Sequence, residues 1–286
     1  MLTIARLTFQ EVFKKKVFLI TVLMSVAFVL LYGIALDFTA QEMQKMNTMR
    51  GSIQVIQQMV GNQLLGAGLY FSSFLLALLA LLASVGSIAS ELENGMLHSI
   101  VSKPIRRREI ILGKFIGYGI MLSVYALLLY LIILALNGYY NKGALTLLDT
   151  GNFIMGAFVF MLQPILLLGV AMVFSTLFRT LTAGIISVIL YGIGMIGGFV
   201  EQVGSAISNT SLINTGIVSS LIMPSDALFR RLIVIVTGSD SNPLATLNMG
   251  PFGVSVPPSN AMLLYTCLYI VCCVIFSIYY FNRKDL

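Results

Sequence analysis

The sequence predicts an all-α polytopic membrane protein, a single transmembrane domain over residues 1–286 with six transmembrane helices. Three observations predict it: a mean hydropathy of +0.96, a charged fraction of only 10%, and repeated apolar runs of membrane-crossing length. Soluble domains carry about 25% charged residues, and a helix needs about 20 mostly apolar residues to cross the hydrocarbon. Such runs cover about 17–36, 64–89, 115–136, 153–178, 182–200 and 261–281.

At the N-terminus, Leu2, Ala5, Phe9, Val12 and Phe13 recur at helical spacing, with Arg6, Gln10 and Lys14-Lys15-Lys16 on the other faces. This pattern predicts an interfacial helix over 1–16, lying on a leaflet before the first span turns inward. The other reading is a plain basic flank to a signal anchor. The first apolar run exceeds the apolar core of a secretion signal, and no small-residue cleavage site follows it, so it is expected to stay in the mature chain.

Between the first two spans, about Asp37 to Asn62 is polar and rich in Gln and Met. Spans three and four are joined by a short turn at Asn137 to Gly143, and spans four and five by little more than Arg179-Thr180, which favours neighbouring antiparallel helices. Residues 201–260 mix Ser, Asn, Gly and Pro with two apolar pieces, Leu212 to Met223 and Leu228 to Val236, each too short to cross. This extracytoplasmic segment is expected to form short helices dipping into the membrane edge. A rival threading sends Ile217 to Val236 across, which buries Asp226, Arg230 and Arg231 and inverts the last helix.

With six spans, both termini and two loops share one side. That side holds Arg6, Lys14, Lys15, Lys16, Lys103, Arg106, Arg107, Arg108, Lys114, Arg179, Arg283 and Lys284, twelve of the 17 basic residues. Lys45, Arg50, Lys142, Arg230 and Arg231 fall on the other. The positive-inside rule makes the richer side the cytoplasm, so a multi-pass protein of the cell membrane with both termini cytoplasmic is expected. Three arginines at the bilayer centre would cost on the order of 8–10 kcal/mol, which keeps Arg106 to Arg108 outside the hydrocarbon. The pI of about 9.3 then reflects topology and contact with anionic membrane lipid; no nucleic-acid-binding motif accompanies it.

The polar chemistry gathers in one strip between spans two and three, residues 91–114, which holds the sole histidine, His98. Ser90 and Glu93 have the spacing of a capping box, although span two is equally free to continue past them. Gly95 permits a turn. Met96, Leu97, Ile100 and Val101 form an apolar stripe over one short helix, Pro104 stops it, and a second helix opens near Arg106 and runs through Glu109 and Lys114 into span three. From the residues alone, a helical hairpin at the cytoplasmic interface and a simple polar loop anchored to headgroups are both open.

The run Glu91-x-Glu93-x-Gly95-Met96-Leu97, then Ser102-Lys103-Pro104-Ile105-x-Arg107-x-Glu109-Ile110-x-x-Gly113-Lys114, resembles the signature of permease subunits of ABC-2-type ATP-binding cassette transporters. Met96 stands where threonine is usual there, and Arg106 where serine is frequent. The basic N-terminus, the six spans and the elaborated segment before the last span extend the resemblance over most of the chain. It implies that the strip is a coupling element seated in a cleft of a nucleotide-binding subunit. Glu91, Glu93 and Gly95 would shape its turn, and Met96, Leu97, Ile100 and Val101 would present the docking stripe. Arg106, Arg107, Glu109 and Lys114 would supply its polar and lipid-facing edges.

No G-x-x-x-x-G-K-[ST] occurs, and Gly113-Lys114 is followed by Phe115 instead of a magnesium-binding hydroxyl. The chain is therefore expected to bind no cofactor and to have no catalytic residues, with ATP and magnesium held by partner ATPase subunits. No H-E-x-x-H, G-x-S-x-G or plausible Ser/His/Asp set is present, and Cys267, Cys272 and Cys273 share the last span without metal-ligand spacing, so no metal site is expected. Strongly ionisable groups are nearly absent from the spans, which argues against an ion-coupled carrier. Gln163-Pro164, mid-span four, is the main polar interruption: it either lines a pathway or only kinks the helix. Ser72, Ser73, Ser84, Ser87, Tyr125 and Tyr130 either face an internal seam or bond within their own helices. Gly113/Gly117 and Gly194/Gly198 have close-approach spacing. The second pair is the better dimerisation candidate, since the resemblance places span five near the subunit interface. The expectation is the permease subunit of an ATP-driven exporter, paired with a second copy or paralogue. The alternative is a non-transporting scaffold or sensor that docks some other cytosolic partner.

Overall fold

A computed structural model describes residues 2–14, 16–46, 53–94, 107–140, 149–238, 254 and 257–283. The expected docking residues Gly95, Met96, Leu97, Ile100, Val101, Pro104 and Arg106 lie outside the described residues. Among those described there are ten helices and no strand. They are α1 (Leu2–Lys14), α2 (Lys16–Met46), α3 (Ile53–Val85), α4 (Ala89–Glu93), α5 (Arg107–Tyr140), α6 (Thr150–Leu177), α7 (Thr180–Ala206), α8 (Thr210–Ile222), α9 (Ser225–Thr237) and α10 (Asn260–Arg283). Six of these, α2, α3, α5, α6, α7 and α10, are long and apolar enough to cross a membrane.

The helices outrun the apolar runs that announce them. α2 continues to Met46 and α3 begins at Ile53, so much of the polar stretch between the first two spans is helical. α5 starts eight residues before its apolar run, at Arg107, with Glu109 in its first turn where the helix dipole favours an acid. Apolarity marks the part of a helix that must meet lipid, whereas backbone hydrogen bonding carries the helix into the polar zone.

α6 is the spine of the bundle. It packs against α3, α5, α7, α9 and α10, and Phe160, Leu166, Leu167, Leu168 and Ala171 are fully buried along it. Asp149 caps its start, accepting from the Gly151 amide. α2 is peripheral: Leu19, Leu23, Leu30, Leu31 and Ile34 are exposed on it, as expected for a lipid-facing helix. Since lipid is as apolar as leucine, association rests on close packing and buried hydrogen bonds. Tyr32 supplies one such link, donating to the Leu64 carbonyl (2.9 Å) and accepting from Asn137 Nδ2 (2.7 Å).

α1 lies along α5 through Ala5, Thr8 and Val12, all buried. A Cβ at Gly117 would stand 2.7 Å from the Ala5 carbonyl oxygen and 2.9 Å from Thr8 Cβ, so the glycine is what allows the approach. Of the pair Gly113/Gly117, Gly117 thus serves the N-terminal helix.

Residues 207–237 form a re-entrant pair. Asn209 caps α8, accepting from Ser211 and Leu212 amides, after a tight turn in which its own amide returns to the Gly204 carbonyl. α8 then descends along α7: Leu212 faces Gly204, Ser219 faces Gly197 and Met223 faces Gly194. The chain turns by 101° at Met223-Pro224. Pro224 forbids helical backbone at Met223, whose φ of −140° and ψ of 96° are extended, and it opens α9 without an amide to leave unpaired. α9 climbs back obliquely along α6, from Gln163 near its N-terminus to Gly156 and Tyr130 beside Val236. Gly238, at φ 65°, ends it in the left-handed conformation. Both arms of the pair open toward the same end of the bundle, which keeps the count at six crossings.

Candidate functional site

Two buried polar clusters stand out, one at the end of the bundle that carries the 91–114 strip and one at mid-depth.

At the strip end, α3 breaks at Gly86-Ser87-Ile88 before α4. Ser175 of α6 spans the break. Its hydroxyl accepts from the amides of Ala89 (2.9 Å) and Ile88 (3.3 Å) and donates to the Val85 carbonyl (2.7 Å). Lys114 of α5 lies beneath α4, donating to the Ser87 carbonyl and pairing with Glu91 Oε1 at 2.5 Å; the two side chains are 5% and 14% exposed. Glu93 reaches across to α7, where its two oxygens accept from the amide (2.9 Å) and hydroxyl (3.0 Å) of Thr180. Arg107 donates to the Asn282 carbonyl (3.5 Å), bringing the end of α10 to the same place.

This geometry changes two expectations. Ser90 and Glu93 make no capping box: Ser90 bonds back to the Gly86 carbonyl in its own helix, and Glu93 serves another helix. Lys114 is not on a lipid-facing edge but is buried, because two acceptors lie within reach of its ammonium. Ser87, Ser175 and Thr180 complete the cluster, and no spacing rule links them to the acids in sequence.

At mid-depth, Ser73 of α3 donates to Gln163 Oε1 of α6 at 2.6 Å, both residues buried. Pro164, next to it, removes the bond that the Phe160 carbonyl would receive in an unbroken helix. A hollow of about 20 Å³, room for one water, separates this pair from Tyr191, Ser225 and Asp226. Asp226 belongs to an ionic triad. Arg230 Nε lies 2.9 Å from Asp226 Oδ2, one helical turn back, and Arg230 Nη2 lies 2.7 Å from Glu201 Oε2 on α7. Ser220 stands within 3.4 Å of both Glu201 and Arg230. The Arg230 side chain is 2% exposed, and each acid is 11% exposed.

The triad lies outside the six apolar runs, at Glu201 near the end of α7 and at Asp226 and Arg230 in α9, so its buried charge stands beside the spans and not in them. Isolated, each charge would be expelled, but mutual pairing makes their burial tolerable. The i,i+4 spacing of Asp226 and Arg230 within an apolar segment was the available signal. Arg231 takes another direction and donates to Asn260 Oδ1 of α10 at 2.7 Å.

Gly194 and Gly198 also find their partners within the chain. A Cβ at Gly194 would meet the Met223 carbonyl oxygen at 2.7 Å, and one at Gly198 would meet Asp226 Oδ2 at 1.6 Å. Within the chain, the close approach that their spacing permits is made to the re-entrant pair. Of the hydroxyls singled out, Ser84 bonds within its helix, Tyr125 meets Ser25 of α2 and Tyr130 donates to the Phe153 carbonyl at 3.2 Å.

Residues 2–286 match the sequence family described as ABC-2 family transporter protein. The chain belongs to that family. Two curated relatives carry the description probable ABC transporter permease protein NosY: that of Stutzerimonas stutzeri is 39% identical over 57 residues, and that of Pseudomonas aeruginosa 37% over 57 residues. Each of these local similarities covers 20% of this chain and 21% of the relative, about a fifth of either protein. The ABC-2 assignment agrees with the helical architecture, and the six apolar helices make this member of the family a multi-pass membrane protein.

Proposed function

We propose that this chain is the permease subunit of an ATP-driven exporter. It forms a translocation path in the cell membrane with a second permease copy or paralogue, surrounded by membrane lipid, and works with ATP-binding cassette subunits that hold ATP and magnesium. Both termini and the 91–114 strip face the cytoplasm in this reading. The chain itself acts without catalysis.

The observation that carries the proposal is how the base of the strip is tied. Glu91 is bound to Lys114 of α5, the break before α4 to Ser175 of α6, and Glu93 to Thr180 of α7. A push on residues 95–106 therefore acts through short, directional bonds on three spanning helices at once. A loop that only anchored two spans to headgroups would need none of these cross-links. Charge-assisted hydrogen bonds are the stronger kind and fix geometry as well as proximity, as a force-transmitting joint requires.

Replacing Leu97 and Ile100 with aspartate in membranes containing the cognate ATPase tests it. The expected result is loss of ATPase association and of substrate-stimulated turnover. Unchanged association and turnover would refute the docking assignment.

A further inference from the structure

Against the triad lies a second, larger cavity of about 330 Å³, lined by Tyr70, Phe199, Asp226, Phe229, Arg230 and the buried Val254, among others. Its lining is predominantly apolar and shares Asp226 with the water-sized hollow beside Gln163. Tyr70 and Phe229 meet edge to face there, with centroids 5.3 Å apart. Phe199 is 63% exposed and the adjacent Ile196 66% exposed, so the chamber borders the outward face of α7.

Among the described residues, the charges around this chamber do not cancel: Glu201 and Asp226 present two carboxylates and Arg230 is the one cation in ion-pair contact with them, while Arg231 donates to Asn260. In a low-dielectric interior an uncompensated carboxylate costs several kcal/mol, so the cluster favours entry of positive charge. Aromatic faces in the wall favour it further, since cations are attracted to them. The apolar remainder of the chamber suits an organic body, and its position under an exposed helix face suits a molecule arriving from the bilayer or from a subunit seam.

We propose that this chamber is a binding site for amphipathic organic cations, with Asp226 as the counter-ion. The proposal names the substrate class for the permease reading above and rests on it for its role in transport, whereas the binding itself does not require that reading.

The test uses the full chain in nanodiscs, without ATPase or nucleotide, so failure of the coupling assignment leaves it untouched. Saturable binding of tetraphenylphosphonium is measured against tetraphenylborate, an anion of the same shape. Tetraphenylphosphonium is expected to bind saturably, tetraphenylborate is expected not to displace it, and Asp226→Asn is expected to weaken binding at least about tenfold. Met195→Trp, which adds bulk to the chamber wall and removes no charge, is expected to weaken it as well and decides the matter if Asp226→Asn does not fold. Absence of saturable binding, equal displacement by the anion, or undiminished affinity in the folded variants would each overturn the proposal.

Discussion

Lys114 and Arg230 are both buried cations held by carboxylates, but among the described residues the strip-end ion pair sets one cation against one acid, whereas the mid-depth cluster sets one against two. Among the described residues Lys114 meets the Glu91 carboxylate and the Ser87 carbonyl, beside a break in α3, and these bonds run between helices at one end of the bundle. Arg230 meets two acids, at the fold of the re-entrant pair and next to open volume. The difference separates two uses of buried charge: a neutral pair locks helices together, whereas an excess charge beside a cavity calls for a ligand.

The largest expected effect breaks the unbalanced cluster. Arg230→Leu leaves Glu201 and Asp226 facing each other without a cation, and loss of one partner from a buried ion network costs about 3–5 kcal/mol. Detergent-solubilised protein should lose monodispersity at a markedly lower temperature, and adding Glu201→Gln together with Asp226→Asn should restore much of the loss. An unchanged melting temperature for Arg230→Leu would show that the triad does not hold the re-entrant pair.

A second substitution sharpens the packing side of the comparison. Gly198→Ala places a methyl group where the Asp226 carboxylate lies, and overpacking of that kind costs about 1–3 kcal/mol. Gly192→Ala, on the same helix but with nothing within 4 Å of its Cβ, should be neutral or stabilising by up to about 1 kcal/mol. Thermal stabilities of the two variants measured side by side check this, and equal losses would contradict the close approach.

The smallest change in stability belongs to the balanced cluster. Lys114→Met should cost about 1–2 kcal/mol, less than a fully buried pair because Glu91 keeps some access to solvent. Its functional effect should exceed its effect on stability: with the partner ATPase, association should persist while stimulated turnover falls several-fold. Full turnover in that variant would remove Lys114 from the coupling path.

Much of this was legible in the sequence. The six crossings follow from apolar runs about as long as the bilayer is thick, and Pro224, Gly238 and Asn209 sit where the re-entrant pair turns, ends and begins. The strip was legible as a concentration of charge, and Glu91, Glu93, Arg107, Glu109 and Lys114 do lie together at one end of the bundle. The partners were not. Ser175 and Thr180 are ordinary residues in their own helices, and they matter only because α6 ends and α7 begins beside α4. Gly194 and Gly198 were legible as a close-approach pair, but spacing names no partner.

By itself the sequence determined that this chain is a six-crossing helical membrane protein, because solvation of backbone and side chains in lipid leaves few alternatives for so apolar a chain. Only the tertiary structure decided how its few charges are spent. Pairing energies depend on distances between residues remote in the chain, so Glu201 to Arg230 and Glu93 to Thr180 exist only once α7 lies against its neighbours.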